Sequence, residues 1–355
     1  MRTIVLVGAG HAHLHIIRAW SREPIPNWRL VVLSSSSYQY YSGMFSGYAE
    51  GHYNEKETRV PLVPFCRIAG ALFYEETVTK IDAATQTLYC ASGKSYPYDL
   101  VSFDIGSRID IPLNFEEISP QIKPADKMIE AIESIRTTEH PVVIGGGAAA
   151  VEMALSIHEW RKNNGYSNPV QLISKSALLS ETNAQHSVRD ELRAAGVHLK
   201  EQDSPSSFHE SVITTASGNM YPCTSMFWLT GASSFSLFAE SGLVTEEGFL
   251  VVTPTLQAAE QPLIFAAGDC AHFGEGIAKN GVHAVKQGPI LWYNLQAIIL
   301  NQKLRAYEPK SNQLSILSLG NRRALALYGN KSFKGKLAWK LKNRIDQNFM
   351  RKYRL

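Results

Sequence analysis

The sequence predicts an α/β protein of two doubly wound parallel-sheet domains, and three observations carry that prediction. Two glycine-rich turns, Gly8-Ala9-Gly10 and Gly145-Gly146-Gly147, each end a short apolar strand and open a helix. A run Ala266-Ala267-Gly268-Asp269 follows far downstream, and 355 residues leave room for two domains of ordinary size. In a strand–turn–helix setting, glycines let the backbone close on a pyrophosphate. The helix N-terminus adds free N–H groups and the positive end of its dipole. Two such turns in one chain imply two dinucleotides exchanging electrons, hence two Rossmann-like domains.

The elements follow in order. Strand 3–7, turn, helix 11–20 and strand 30–33 have the spacing of a βαβ nucleotide-binding half. A tyrosine-rich loop from Tyr38 to Met44 comes next, then a helix near 61–68. Alternating patterns at 71–79 and 86–91 predict strands, and 100–104 predicts a buried one. The stretch from Pro112 to Pro124 reads as a crossover linker. The second unit runs from strand 142–144 through helix 149–160 to strand 170–173. Strand 226–229 mirrors 100–104, and each is followed closely by a glycine, Gly231 and Gly106. The expected division is a discontinuous domain of residues 1–112 and 252–300, an inserted domain of 113–251, and a C-terminal segment of 301–355.

Composition bounds the setting. A hydrophobic share of 45% supports globular cores. The first strand begins too early to leave room for a signal peptide. No stretch approaches the ~18 apolar residues of a spanning helix; the nearest, 288–300, is broken by Gln and Asn. Cys66, Cys90, Cys223 and Cys270 are scattered without metal spacing, which reads as reducing cytoplasm without disulfides. The net charge is +3, yet residues 331–355 carry +8, so a basic tail sits on a mildly acidic body. That tail points to an anionic surface rather than to nucleic acid.

This constellation resembles the pyridine nucleotide-disulfide oxidoreductase superfamily of two-dinucleotide flavoproteins over nearly the whole chain. Within it the chain is most similar to type II NADH dehydrogenases and sulfide:quinone reductases. The runs Gly10-His11-Ala12-His13, Tyr41-Ser42-Gly43-Met44 and Gly281-Val282-His283-Ala284-Val285-Lys286-Gln287-Gly288 resemble a small subgroup found alone or fused ahead of selenophosphate synthase. The resemblance implies FAD at the first turn, touching Gly8, Gly10, His11, Ala12, Ser34, Ser42, Gly43, Met44, Val78, Gly106, Asp269 and Val282. It implies NADH or NADPH at the second, touching Gly145, Gly147, Ala148, Ala149, Ser174, Lys175 and Gly231. It also implies that Glu152 points toward the junction of nicotinamide and flavin, and that Lys279 lies at the flavin's pyrimidine edge.

Several residues depart from the pattern. His13 stands where a third glycine normally permits close helix packing, either bordering the pyrophosphate or packing behind it. In the run His11, His13, His15, only the first and last share a helix side, so no metal site is expected. Ser34 and Ser174 hold the places of the usual ribose-gripping acid. With Lys175 beside Ser174, the second site reads toward NADPH, the choice between coenzymes staying open. The family's C-x-x-x-x-C pair is replaced by residues 41–46, so electrons must leave the flavin directly. The glutamines that border quinone in type II dehydrogenases are reduced to Gln287.

The functional reading is a cytoplasmic FAD enzyme that oxidises NAD(P)H and passes two electrons to a quinone or similar small acceptor. An FAD-dependent reductase of selenium or sulfur metabolism and a non-catalytic flavin-binding sensor are the alternatives. Phe333, Leu337, Leu341, Ile345, Phe349 and Tyr353 recur every four residues, predicting one apolar helical stripe flanked by cations. Such a helix either lies on the inner face of the cell membrane, making the enzyme peripheral there, or packs on the protein itself or a twin subunit in a homodimer.

Overall fold

The computed structural model describes residues 1–354 other than 123, 124, 126, 181, 275, 276, 278 and 310–312; Pro124 of the expected linker and Leu355 of the tail lie outside the described residues. Its largest sheet has six strands, in the order Gln257–Ala258, Gln261–Ala266, Leu100–Phe103, Arg2–Val7, Trp28–Ser34 and Leu72–Glu75. All neighbours are parallel except the short outer pair. In the first strand, Ile4 and Leu6 face one core and Val5 and Val7 face another. A strand covered on both faces must be apolar throughout its covered length, which explains the unbroken Ile4–Val7 run. The chain leaves this sheet after Phe103 and re-enters it at Gln257.

Between those points lies a second parallel sheet, in the order His198–Glu201, Gln171–Ser174, Pro141–Ile144 and Ser225–Trp228. Helix Ala148–Asn163 covers one face; the antiparallel ribbon Pro205–His209, Val212–Thr215, Met220–Pro222 covers the other. The chain is therefore an α/β protein with two Rossmann-like parallel sheets.

Helix Gly281–Ile299 packs along helix His11–Trp20. Gly288 makes that approach feasible, since a Cβ there would stand 2.8 Å from the His15 Cβ and 3.2 Å from the Ala12 carbonyl oxygen. Close packing that a third glycine usually supplies from within the motif is supplied here from the partner helix.

Two expectations are corrected. The run 71–79 is not one strand: Leu72–Glu75 ends the large sheet, and Val78–Asp82 belongs to a small antiparallel sheet with Thr87–Cys90 and Ser95–Pro97. Buried Glu76 marks the crossing, its carboxylate accepting from Ser92, Lys94 and Tyr96. Nor is the tail one helix. Lys331–Gly335 is the third strand of a sheet with Ser315–Ser318 and Ala324–Tyr328, and helix Lys336–Arg351 follows. Gly335, at φ 125°, makes the break. The predicted stripe splits accordingly: Phe349 and Tyr353 are buried, whereas Phe333, Leu337 and Ile345 are exposed. The helix docks through Ala338, Asp346, Phe349 and Met350. Among the described residues, no helix is long and apolar enough to cross a membrane.

Candidate active site

The carboxyl ends of both parallel sheets open onto one cavity of about 1970 Å³, lined by both glycine turns. Cavities for one small ligand run to roughly 1,000 Å³, so the space suits two dinucleotides.

At the first turn, Gly8 adopts φ 79°, and a side chain there would meet the Asp104 carbonyl oxygen at 2.4 Å. A Cβ on Gly10 would fall 2.2 Å from the Asp104 carboxyl carbon. Both glycines are thus demanded by the neighbouring strand end as well as by any ligand. The Asp104 carboxylate accepts from the Ala12 and His13 amides, capping the first helix from outside. His13 is fully buried, with Nδ1 2.6 Å from the Gly8 carbonyl and Nε2 2.8 Å from the Ser102 hydroxyl. It packs behind the turn, away from the cavity. His11 does line the cavity; among the described residues its buried Nε2 has no hydrogen-bond partner, and burial pushes its pKa down to about 4.

At the second turn the glycines divide their work. A Cβ on Gly145 would strike the Leu229 carbonyl oxygen and one on Gly146 the Ser174 hydroxyl, whereas one on Gly147 meets nothing within 4 Å and opens onto the cavity. Gly147 caps helix Ala148–Asn163 without any side-chain hydrogen bond, leaving first-turn amides of Ala148 and Ala149 toward the open space.

Glu152 lies between the two turns. Its Oε1 accepts from the Ser318 amide at 2.8 Å and the Ser46 hydroxyl at 3.2 Å, tying three stretches of chain to the cavity wall. Beneath it, the Lys342 ammonium donates to the Gly43 carbonyl and to Asp346 at 2.9 Å. Burial alone would lower Lys342, but Glu152 and Asp346 together raise it, so the cation persists. Tyr41 stacks on Phe349 at 4.1 Å, joining this region to the C-terminal helix behind the cavity.

Asp269 sits in the single turn Gly268–Cys270, within 3.4 Å of the Ser107 hydroxyl, and faces the cavity. Gly268 donates its N–H to Gln287 at 2.7 Å, so the one glutamine kept after the Gly-Asp turn is buried as a structural brace. Lys279 lines the cavity but turns its ammonium to the Ala271 carbonyl and over the Phe249 ring, where burial lowers its pKa.

The cavity wall brings together Gly8, Gly10, His11, Ser34, Ser42, Val78, Gly106, Asp269 and Val282 with Gly147, Ala148, Ala149, Gly231, Glu152 and Lys279. Six expected residues lie off it. Met44 is in the core, the Gly43 carbonyl is taken by Lys342, and the Ala12 amide is taken by Asp104. Gly145 is pressed on Leu229, Ser174 is buried with its hydroxyl on the Ser176 carbonyl, and Lys175 is exposed outside. Ser176, Ser180, Thr182 and Asn183 hold that end of the wall instead. Sequence reading missed Asp104, although an acid directly after a buried strand was a visible signal, and missed the Lys342–Asp346 pair, which only the fold brings behind the wall to Gly43. All four cysteines are buried and free. Burial pushes Cys270 up to about 12, and it does not line the cavity.

Two glycine turns that open helices at the carboxyl ends of two parallel sheets, facing one cavity, define a protein built to hold two dinucleotides. Residues 2–288 match the family model described as pyridine nucleotide-disulphide oxidoreductase, and the chain belongs to that family. It is accordingly an FAD-dependent oxidoreductase with a nicotinamide nucleotide as its second cofactor. Ferroptosis suppressor protein 1 of Xenopus laevis is 25% identical over 265 residues, spanning 70% of this chain and 69% of the relative. The sulfide:quinone oxidoreductase of Aquifex aeolicus superposes with a TM-score of 0.82 at 20% identity, covering all of this chain and 92% of its own. The water-forming NADH oxidase of Lactobacillus brevis bound to NADH gives 0.76 at 19%, covering 93% and 75%.

Proposed function

We propose that this enzyme takes hydride from NAD(P)H and passes two electrons to a quinone-like small acceptor. The observation that carries the reading is the single cavity joining both glycine turns with Glu152 between them and no cysteine on its wall among the described residues. Without a thiol relay, electrons leave for an acceptor that reaches the same cavity. The sulfide:quinone oxidoreductase likeness supports a quinone in that role.

Bound FAD supplies the two-electron chemistry; the chain supplies positions. The first turn, Ser34, Val78 and Gly106 would hold one dinucleotide, with Asp269 accepting from its hydroxyls. The amides of Ala148 and Ala149 would take the pyrophosphate of the second, and Gly147 leaves room for it. Glu152, fixed by Ser318 and Ser46, orients the nicotinamide end. The buried Lys342 ammonium balances negative charge arising at that wall. We divide the chain into an FAD unit of residues 1–112 and 252–300, a nicotinamide unit of 113–251 and a C-terminal unit of 301–355. The exposed Phe333, Leu337 and Ile345, set among lysines, would rest on an anionic membrane where a quinone is met.

Anaerobic mixing tests this reading. NADPH or NADH should bleach the yellow protein within its turnover time, and a short-chain quinone should restore the colour. A protein that bleaches but is re-oxidised only by selenium or sulfur compounds overturns the quinone assignment. One that never bleaches overturns the enzymatic reading.

A further inference from the structure

Asp104 is a buried acid on the cavity wall that the functional reading leaves unused. It stands just past strand Leu100–Phe103, only 4% exposed. Its Oδ2 accepts from the Ala12 amide at 2.8 Å and the His13 amide at 3.1 Å, and its carbonyl accepts from Gly10 at 3.1 Å. Those are the amides a capping side chain would take, but the helix's own cap is Gly10, which has none. Among the described residues, no side chain takes the first-turn amides of helix Ala148–Asn163, whose cap Gly147 has none of its own. The first helix start therefore carries a built-in anion where the second offers bare amides.

The surroundings do little to hold that charge. Gly268 comes so close that a Cβ on it would stand 2.7 Å from the carboxyl. Asp269, on the same turn, repels an ionised Asp104, and the Cys270 thiol is neutral. His11 and His13 are both pushed down to about 4 by burial, so neither is a cation near neutrality. Lys279 is turned to the Ala271 carbonyl. Burial pushes Asp104 up to about 7 against the pull of the two amides.

We propose that Asp104 sets the affinity for FAD: binding of the dinucleotide at the first turn draws one proton from solvent onto the Asp104 carboxyl. This rests on the reading of that turn as the FAD site. A diphosphate and an ionised carboxylate repel strongly when they share one helix end in a region shielded from water. Protonated, the carboxyl still accepts from Ala12 and His13 through its carbonyl oxygen, while its O–H becomes a donor. Linkage then fixes the pH dependence: FAD affinity is level below the pKa of Asp104 in the free protein and falls by up to about tenfold per pH unit above it.

FAD-stripped protein titrated with FAD from pH 6 to 9, followed by flavin fluorescence, is the test. The wild-type Kd should weaken about tenfold or more from pH 6.5 to 8.5. Asp104→Asn, which keeps an accepting oxygen, should vary less than about twofold and bind more tightly than wild type at pH 8.5. A level wild-type profile, or an Asn variant with the wild-type slope, overturns the proposal. Should the variant not fold, calorimetry of FAD binding to wild type at pH 8 in two buffers of different ionisation enthalpy decides. Uptake of about one proton supports the proposal and no uptake overturns it. FAD that binds at no pH removes the site reading together with the proposal.

Discussion

Replacing Lys342 by Met should cost the fold about 3–5 kcal/mol, because it strands a buried carboxylate. The Lys342 and Asp346 side chains retain only 12% and 5% of their exposure, and Nζ also holds the Gly43 carbonyl. Methionine matches the stem but leaves Asp346 with a hydrogen bond from Tyr41 and no cation. At about 2 °C per kcal/mol for a chain of this size, the first thermal transition should fall by roughly 6–10 °C. The sign of the pH effect follows from the same pair. Burial already holds Asp346 above the usual carboxylate range, and losing Lys342 raises it further. A carboxyl whose folded pKa exceeds its unfolded one contributes most stability below about pH 4 and loses it as pH rises through the folded value. The variant should therefore lie closer to wild type at pH 5 than at pH 8. Adding Asp346→Leu should recover most of the loss. Differential scanning calorimetry of the FAD-loaded protein measures all three. A single variant melting within about 2 °C of wild type at pH 8, or equally impaired at both pH values, would refute this account of the wall.

Gly147→Val should keep FAD yet slow reduction by NAD(P)H at least tenfold, about 1.4 kcal/mol, since its side chain enters the open cavity; stopped-flow bleaching at an undiminished rate removes the second turn from nucleotide binding. Lys279→Met should lower the flavin midpoint potential by about 30 mV, equivalent to about 1.4 kcal/mol for two electrons, by removing a half-buried cation near Asp269. An unchanged potential in a spectroelectrochemical titration makes Lys279 a structural brace on Ala271. Leu337→Asp with Ile345→Asp should abolish salt-sensitive co-sedimentation with anionic liposomes and leave melting unchanged. These substitutions spare buried Phe349, Met350 and Tyr353. Equal sedimentation of variant and wild type would assign the exposed residues another role.

The parallel sheets were legible because strands covered on both faces leave continuous apolar runs, and the glycine turns because their strand–turn–helix setting is local. Cavity membership was less so. Met44 and Gly43 lie in a loop whose inward and outward sides cannot be read without knowing that Lys342, some 300 residues later, takes the Gly43 carbonyl. Lys175 and Ser176 are adjacent, yet only the latter turns to the cavity, a choice fixed by the Ser174 hydroxyl bonding to the Ser176 carbonyl. The tail misled for a simpler reason. A period of four continues numerically through Phe333, but Gly335 permits a strand-to-helix break that periodicity alone does not register.

The C-terminal segment fastens to elements flanking both parallel sheets. Arg323 and Lys334 reach Glu191 beside the four-stranded sheet, while Asn343 accepts from Tyr53 and Phe349 stacks on Tyr41 beside the six-stranded one. It bridges the two parts of the chain like a splint. Rotating one sheet relative to the other would have to peel off an ion triad and an aromatic stack together. Those contacts tie the two glycine turns to one shared C-terminal segment, so a shift of one turn relative to the other is resisted from outside the cavity.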